Sequence, residues 1–277
     1  MTTLAVWRPG SQPGAPAAAA TEPGSRWNEA IFARHSVRTY DGTPLSPDDA
    51  SSLAGLRPER LGAARVRHVL IQGADALERI MKGLVGSYGR IAGAPALVAL
   101  VAQKHDPGHA AALGYLGQQV VLEAVSRGLS TCWVAGAFRR AAVGEFTELA
   151  EGEEVLCISP IGHAAETSGL RRLHDASIKW MTPGRGKRKP LDEIVRGTVG
   201  EPWLQAALEA ARWAPSAVNL QPWVFEVGPE STVTLHCSGG PDSKQALDCG
   251  IAMANFAIAA RVQGAPGTWE LQSPRTL

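Results

Sequence analysis

Two short stretches hold most of the side chains able to do chemistry. Ala33–Gly42 reads ARHSVRTYDG, and Ala211–Phe225 reads ARWAPSAVNLQPWVF. The first sets Arg34, Ser36 and Arg38 at alternate positions. Guanidinium is planar and permanently charged, which suits it to anionic and flat partners. The second places Ser216, Asn219 and Gln221 close together behind Pro215. Their mixed donors and acceptors suit a ligand that is polar and planar. Each stretch alone also has a plainer reading, as solvated arginines or as turn residues between a helix and a strand.

Other chemistries find less support. His105 and His109 stand four apart with Asp106 between them, but no third ligand follows, so no metal is expected. Cys132, Cys157, Cys237 and Cys249 form no CxxC pair, which argues against a zinc site and a disulfide framework and fits a reduced, cytoplasmic chain. Gly86–Gly93 (GSYGRIAG) lacks the preceding strand of a dinucleotide fingerprint, and no Gly-x-Ser-x-Gly of a hydrolase occurs. A formal charge of +1 gives no footprint for nucleic acid or an anionic membrane. The apolar run Ala94–Ala102 has about half the ~20 residues of a spanning helix and reads as a buried strand.

Residues 1–25, rich in Pro, Ala and Gly, read as a flexible tail, with order starting near Trp27. Helices and strands then mix. Asp48–Leu56 reads as a helix capped by Ser46 or Asp48, His68–Gln72 as a strand, and ADALERIMKGL as a helix. Leu113, Leu116, Gly117, Val120, Val121 and Ala124 follow the spacing of an amphipathic helix. Glu153–Ala164 reads as a strand ended by Pro160 and Gly162, followed by a polar loop over Thr167–Lys189. EPWLQAALEAARWA is a helix stopped before Pro215. WVFEVG and TVTLHC form a hairpin, and DCGIAMANFAIAARVQG an apolar-faced helix. This order gives an α+β (α/β layered) fold.

GYLGQQVVLEAVSRGLSTCW and GIAMANFAIAARVQGAPGTW match at an offset of 136 residues. Gly114 falls on Gly250, Ala124 on Ala260, Gly128 on Gly264 and Trp133 on Trp269. The expectation is two related halves, 26–200 and 201–277, about a pseudo-two-fold axis, like a fused dimer.

Arg-x-Ser-x-Arg at Arg34–Arg38 and APSAVNLQPW at Ala214–Trp223 resemble two motifs of the FMN-dependent nitroreductase family. SPIGHA at Ser159–Ala164 and KRKPLDEIV at Lys187–Val195 resemble two more, and together they cover most of the chain beyond the tail. The order departs from the family's. The Pro-Ser-x-x-Asn motif stands in the second half, and LRPERLGAARVRHVLIQ occupies its usual place after Arg-x-Ser-x-Arg. Family members build each FMN site across a dimer interface from these two motifs. A fused chain carrying each once therefore completes a single site, so the resemblance is to a single-chain variant with one FMN. A monomer would suffice, without excluding a dimer.

The resemblance implies that Arg34, His35 and Ser36, with Lys187 and Arg188, hold phosphate and ribityl. It sets Arg38, Pro215, Ser216, Ala217, Asn219 and Gln221 at the ring edge, backbone N–H groups of Pro160–Ile161–Gly162 near N5 (from Ile161 and Gly162), and Trp133–Val134 beside the ring. It names no catalytic acid or base. The implied activity carries electrons from NADH or NADPH through FMN to a small electron-poor acceptor. The alternative is a non-redox flavin-binding module that stores flavin, senses it or takes it as substrate.

Overall fold

The run Ala94–Ala102 supplies the central strand of the first of two sheets. The computed structural model describes residues 1–10, 22–82, 91–136, 138–166 and 187–272. Strands β2 (Val66–Gln72), β3 (Ala96–Gln103), β4 (Ser130–Thr131) and β5 (Glu153–Gly162) form an antiparallel sheet in the order β2-β3-β5-β4. Strand periodicity sends alternate β3 residues to opposite faces. Val98 and Leu100 join the large central core, while Leu97, Ala99 and Val101 join a smaller one with Leu77, Ile80 and Val143 from α3 (Ala74–Met81) and α5 (Arg140–Val143). Both faces are covered, so the strand is apolar throughout. Pro160 does not end β5, which continues through it to Gly162; Pro160 lies opposite Leu97.

The second sheet has the order β6-β7-β8-β1-β9, from β6 (Val195–Arg196), β7 (Trp223–Val227), β8 (Val233–Cys237), β1 (Thr2–Pro9) and β9 (Gly267–Leu271). β6 runs parallel to β7, and the other pairings are antiparallel. The expectation of a flexible tail over residues 1–25 fails at both ends. Residues 2–9 are a central strand because Leu4, Ala5 and Trp7 have a core to enter; the Trp7 ring meets Phe256 at 5.2 Å and Trp269 at 5.5 Å, edge to face. Helix α1 (Glu22–Ala33) starts ahead of Trp27. Residues 11–21, between them, lie outside the described residues, as do 83–90 and most of the Thr167–Lys189 loop. The segment 201–277 is thus not a self-sufficient half, since β1 sits between its β8 and β9. Without β6, the sequence of pairings β7-β8-β1-β9 parallels β2-β3-β5-β4.

Helices α4 (His109–Ser126) and α8 (Lys244–Val262) pack on each other at the centre. Both are expected to be apolar on one face, yet His109–Ala124 and Ala246–Ala260 are buried without interruption. Helices buried on all sides must pair their polar groups internally. Gln118 Nε2 donates to Asn255 Oδ1 at 2.8 Å, Asn255 Nδ2 to the Ala210 carbonyl at 3.0 Å, and Trp27 Nε1 to Glu123 Oε2 at 2.8 Å. The crossing needs glycine. A Cβ on Gly114 would strike the Leu247 carbonyl oxygen, and one on Gly250 the Ala111 carbonyl oxygen. Under the 136-residue offset these two contacts are reciprocal.

The remaining helices are α2 (Pro47–Gly55), capped by Ser46 Oγ accepting from the Asp49 N–H at 3.1 Å, α6 (Leu191–Ile194) and α7 (Pro202–Arg212). α7 stops before Pro215, and β7 and β8 form the expected hairpin.

Candidate active site

A cavity of about 350 Å³ opens where the end of α1, the segment after β4, the loop after α7 and the first turns of α8 converge. Arg34 is the first residue past α1, and its segment then runs along the first sheet. The Val37 N–H donates to the Thr131 carbonyl at 3.0 Å and the Tyr40 N–H to the Ala92 carbonyl at 3.0 Å. The Tyr40 hydroxyl donates to the carbonyls of Val37 at 2.8 Å and Pro160 at 3.2 Å. Those anchors fix the alternating arginines. Arg34 is 8% exposed, and its Nε and Nη1 are buried without a hydrogen-bond partner, as is Nε of Arg38. Burial, and then the neighbouring Arg188, push the Arg34 pKa down to about 10. Among the described residues, every buried charged atom left unpaired belongs to these two arginines. Such a cluster is costly without an anion to complete it.

The opposite wall is a strained loop. Val218, Asn219 and Gln221 have φ of 46°, 59° and 48°, in the left-handed region that β-branched and bulky residues avoid. Hydrogen bonds hold it there. The Gln221 N–H donates to Ser216 Oγ at 2.9 Å, Asn219 Nδ2 to the Lys187 carbonyl at 2.8 Å, and the Ala217 N–H to Asp248 Oδ2 at 3.0 Å. Arg188 ties the loop to the preceding helix, donating to the carbonyls of Ala214 at 2.7 Å and Trp213 at 2.9 Å and to Asn219 Oδ1 at 3.2 Å. Burial lowers its pKa as well.

A family model described as "Putative TM nitroreductase" matches residues 27–260. The chain belongs to this nitroreductase family. That membership places it among nitroreductase-type oxidoreductases. Among solved structures, a putative nitroreductase from Thermotoga maritima MSB8 shares the fold, with a TM-score of 0.58 at 19% identity over 88% of this chain and 92% of that one. An FMN-dependent nitroreductase from Clostridium difficile R20291 aligns at 18% identity and a TM-score of 0.43, covering 50% of this chain and 88% of that one. A putative NADH dehydrogenase/NAD(P)H nitroreductase from Bacteroides thetaiotaomicron VPI-5482 aligns at 22% and 0.44, over 51% and 88%. No curated protein matches this sequence.

In this nitroreductase-family chain the cavity gathers Arg34, His35, Ser36 and Arg38 from one segment and Trp133 and Val134 from another. Arg188 and, from the loop after α7, Pro215, Ser216, Ala217 and Asn219 close it. Five expected residues lie elsewhere. Gln221 is 3% exposed and spends its side chain on the loop's frame, accepting from the Lys189 N–H at 2.9 Å and donating to the Lys187 carbonyl at 3.2 Å. Lys187 is exposed and contributes that carbonyl. Pro160, Ile161 and Gly162 lie within β5, with Ile161 between Ala96 of β3 and Thr131 of β4, and the Pro160 carbonyl accepts from the Tyr40 hydroxyl.

Sequence reasoning missed Asp248, which lines the cavity from the first turns of α8. It is 4% exposed, and burial pushes its pKa up to about 7, against the lowering effect of the Ala217 N–H. The sequence carried a signal: at the 136-residue offset this carboxylate falls on Ala112. Ala135, Gly136, Trp213, Val218, Leu247 and Ile251 complete the lining.

Proposed function

We propose that the cavity holds one FMN per chain and that the protein is an NAD(P)H-dependent flavin oxidoreductase. The observation that carries this reading is the pair of arginines with buried, unpaired N–H groups, Arg34 and Arg38, in a cavity of mixed polar and apolar lining. A ligand with a phosphate and a polar-edged ring satisfies both needs at once. The chemistry the cofactor supplies is two-electron transfer from NADH or NADPH to a small electron-poor acceptor such as a nitroaromatic or a quinone.

The chain's residues bind and orient. Arg34 and Ser36, aided by Arg188, hold the phosphate and ribityl chain, with His35 beside them. Arg38 sets positive charge at the pyrimidine edge, where it favours an electron-rich ring. Ser216 and Asn219 meet the donors and acceptors of that edge, and the strained loop keeps them in place. Trp133 and Val134 border the ring. The paralleled sheet orders and the reciprocal Gly114 and Gly250 contacts support two related halves sharing this single site, so a monomer is complete.

The test is an anaerobic absorption titration of purified protein with FMN, followed by NADH or NADPH. Saturation at one flavin per chain and bleaching by a nicotinamide are expected. Saturation at two per chain refutes the single site, and bound flavin that neither nicotinamide bleaches refutes the oxidoreductase reading.

A further inference from the structure

Asp248 is the one carboxylate among the described residues lining a cavity otherwise rich in arginine. Its Oδ2 accepts from the Ala217 N–H at 3.0 Å, while Oδ1 has no hydrogen-bond partner among the described residues. The carboxyl is thus fixed through one oxygen and free to exchange a proton through the other. The resemblance names no side-chain acid or base here. We propose that Asp248 is the proton carrier of this site, taking up a proton as electrons enter the cavity and releasing it to the acceptor as they leave. The inference rests on the FMN reading above.

The balance is simple for a quinone. Reduction to the hydroquinone adds one hydride and one proton. The hydride carries both electrons; the Asp248 O–H bond breaks, its proton goes to a quinone oxygen, and the carboxylate left behind regains a proton from solvent. With the resting pKa raised to about 7, the group holds a proton part of the time near neutrality, the condition for efficient transfer. Its surroundings set that poise. Burial dominates, and Cys237 of β8 raises it further, while the Ala217 N–H opposes. Burial chiefly raises Cys249 on its own helix and Cys157 of β5, and the Asp248 carboxylate adds to both shifts. Arg34, Arg38, Arg188 and His35 share the cavity.

FMN-loaded wild type, D248N and D248A are to be reduced anaerobically by light in weakly buffered solution, with proton uptake read by an indicator across pH 6–9. Asn retains an acceptor for the Ala217 N–H, so D248N should bind FMN as the parent does yet take up as much as about one proton fewer near pH 8. D248A should take up protons as D248N does but bind FMN more weakly, because the loop loses its anchor. Equal uptake by wild type and D248N throughout overturns the proposal. Should D248N lose its flavin, the reduced-minus-oxidised infrared spectrum of the wild type decides: a carboxylic-acid band that shifts in deuterated water is expected, and no such band overturns it. Failure of the wild type to bind FMN at all would instead sink the functional reading.

Discussion

The two helix–loop–strand corners of the molecule face the central helix pair with opposite results. Between α2 and β2, Glu59 fills its corner. Its two carboxylate oxygens accept from the Tyr115 hydroxyl at 2.9 Å and from Arg261 Nη2 at 2.6 Å. Its backbone N–H and carbonyl pair with the Gln119 amide at 2.8 and 3.0 Å. Between α7 and β7 the loop meets α8 through the Ala217 N–H on Asp248, and beside that contact a cavity stays open, lined by Leu247, Asp248 and Ile251. At the 136-residue offset, Ile251 answers to Tyr115 and Asp248 to Ala112. A large hydroxylated ring paired with a carboxylate closes one corner; an isoleucine and a buried acid leave the other open. One topology therefore serves as scaffold or as site, depending on whether its own side chains satisfy the polar groups there.

The sharpest way to break this contrast is at the open corner. Arg34→Ala removes a charge-assisted contact worth about 1.5–3 kcal/mol, a loss in FMN affinity of roughly 10- to 150-fold by fluorescence titration. An unchanged affinity would remove the cavity's claim to the phosphate. The shared crossing comes next. Gly114→Ala and Gly250→Ala each drive a methyl into the opposite helix backbone, and each should destabilise the fold by about 1–3 kcal/mol in denaturant unfolding. If the contacts are equivalent, the two losses agree to within about 0.5 kcal/mol.

Glu59→Ala probes the closed corner. It strands the Tyr115 hydroxyl and Arg261, with an expected stability loss of about 1–2 kcal/mol and no change in FMN affinity. A second equivalent of bound flavin in this variant would show that the side chains alone had closed the corner. The smallest effect is expected for Asn219→Ala, which loses one contact to Arg188 and one to Lys187. Affinity should fall by about 0.5–1.5 kcal/mol, with a shift in the flavin's reduction potential. A loss larger than that of Arg34→Ala would make the loop, rather than the arginine pair, the main anchor.

Much of the fold was legible because local pattern and tertiary demand agree. The buried strand at Ala94–Ala102, the hairpin after Trp223 and the stop before Pro215 each follow from residue type and short-range sterics. β1 was not legible, because eight residues beside an Ala/Pro/Gly-rich stretch gain their order only from pairing with β8 and β9, far along the chain. The full burial of α4 and α8 was hidden for a related reason. An apolar stripe shows which face is buried first, and only the partner elements show that Gln118, Gln119 and Asn255 find hydrogen bonds inside.

The site divides the same way. Motif chemistry pointed to Arg34, Ser36, Arg38, Arg188, Ser216 and Asn219, which converge on one cavity. It could not separate residues that line the cavity from those beside it, since Gln221, Lys187 and Pro160 belong to the same short motifs but are not part of the lining. Nor could it weigh Asp248, an acid in an apolar helix whose pKa is raised chiefly because folding removes water from it. By itself the sequence determined residue chemistry and element type, both of which depend on neighbours along the chain. The tertiary structure decided which corner stays open, which charges go unpaired and where β1 docks, because burial and pairing are set by segments distant in sequence.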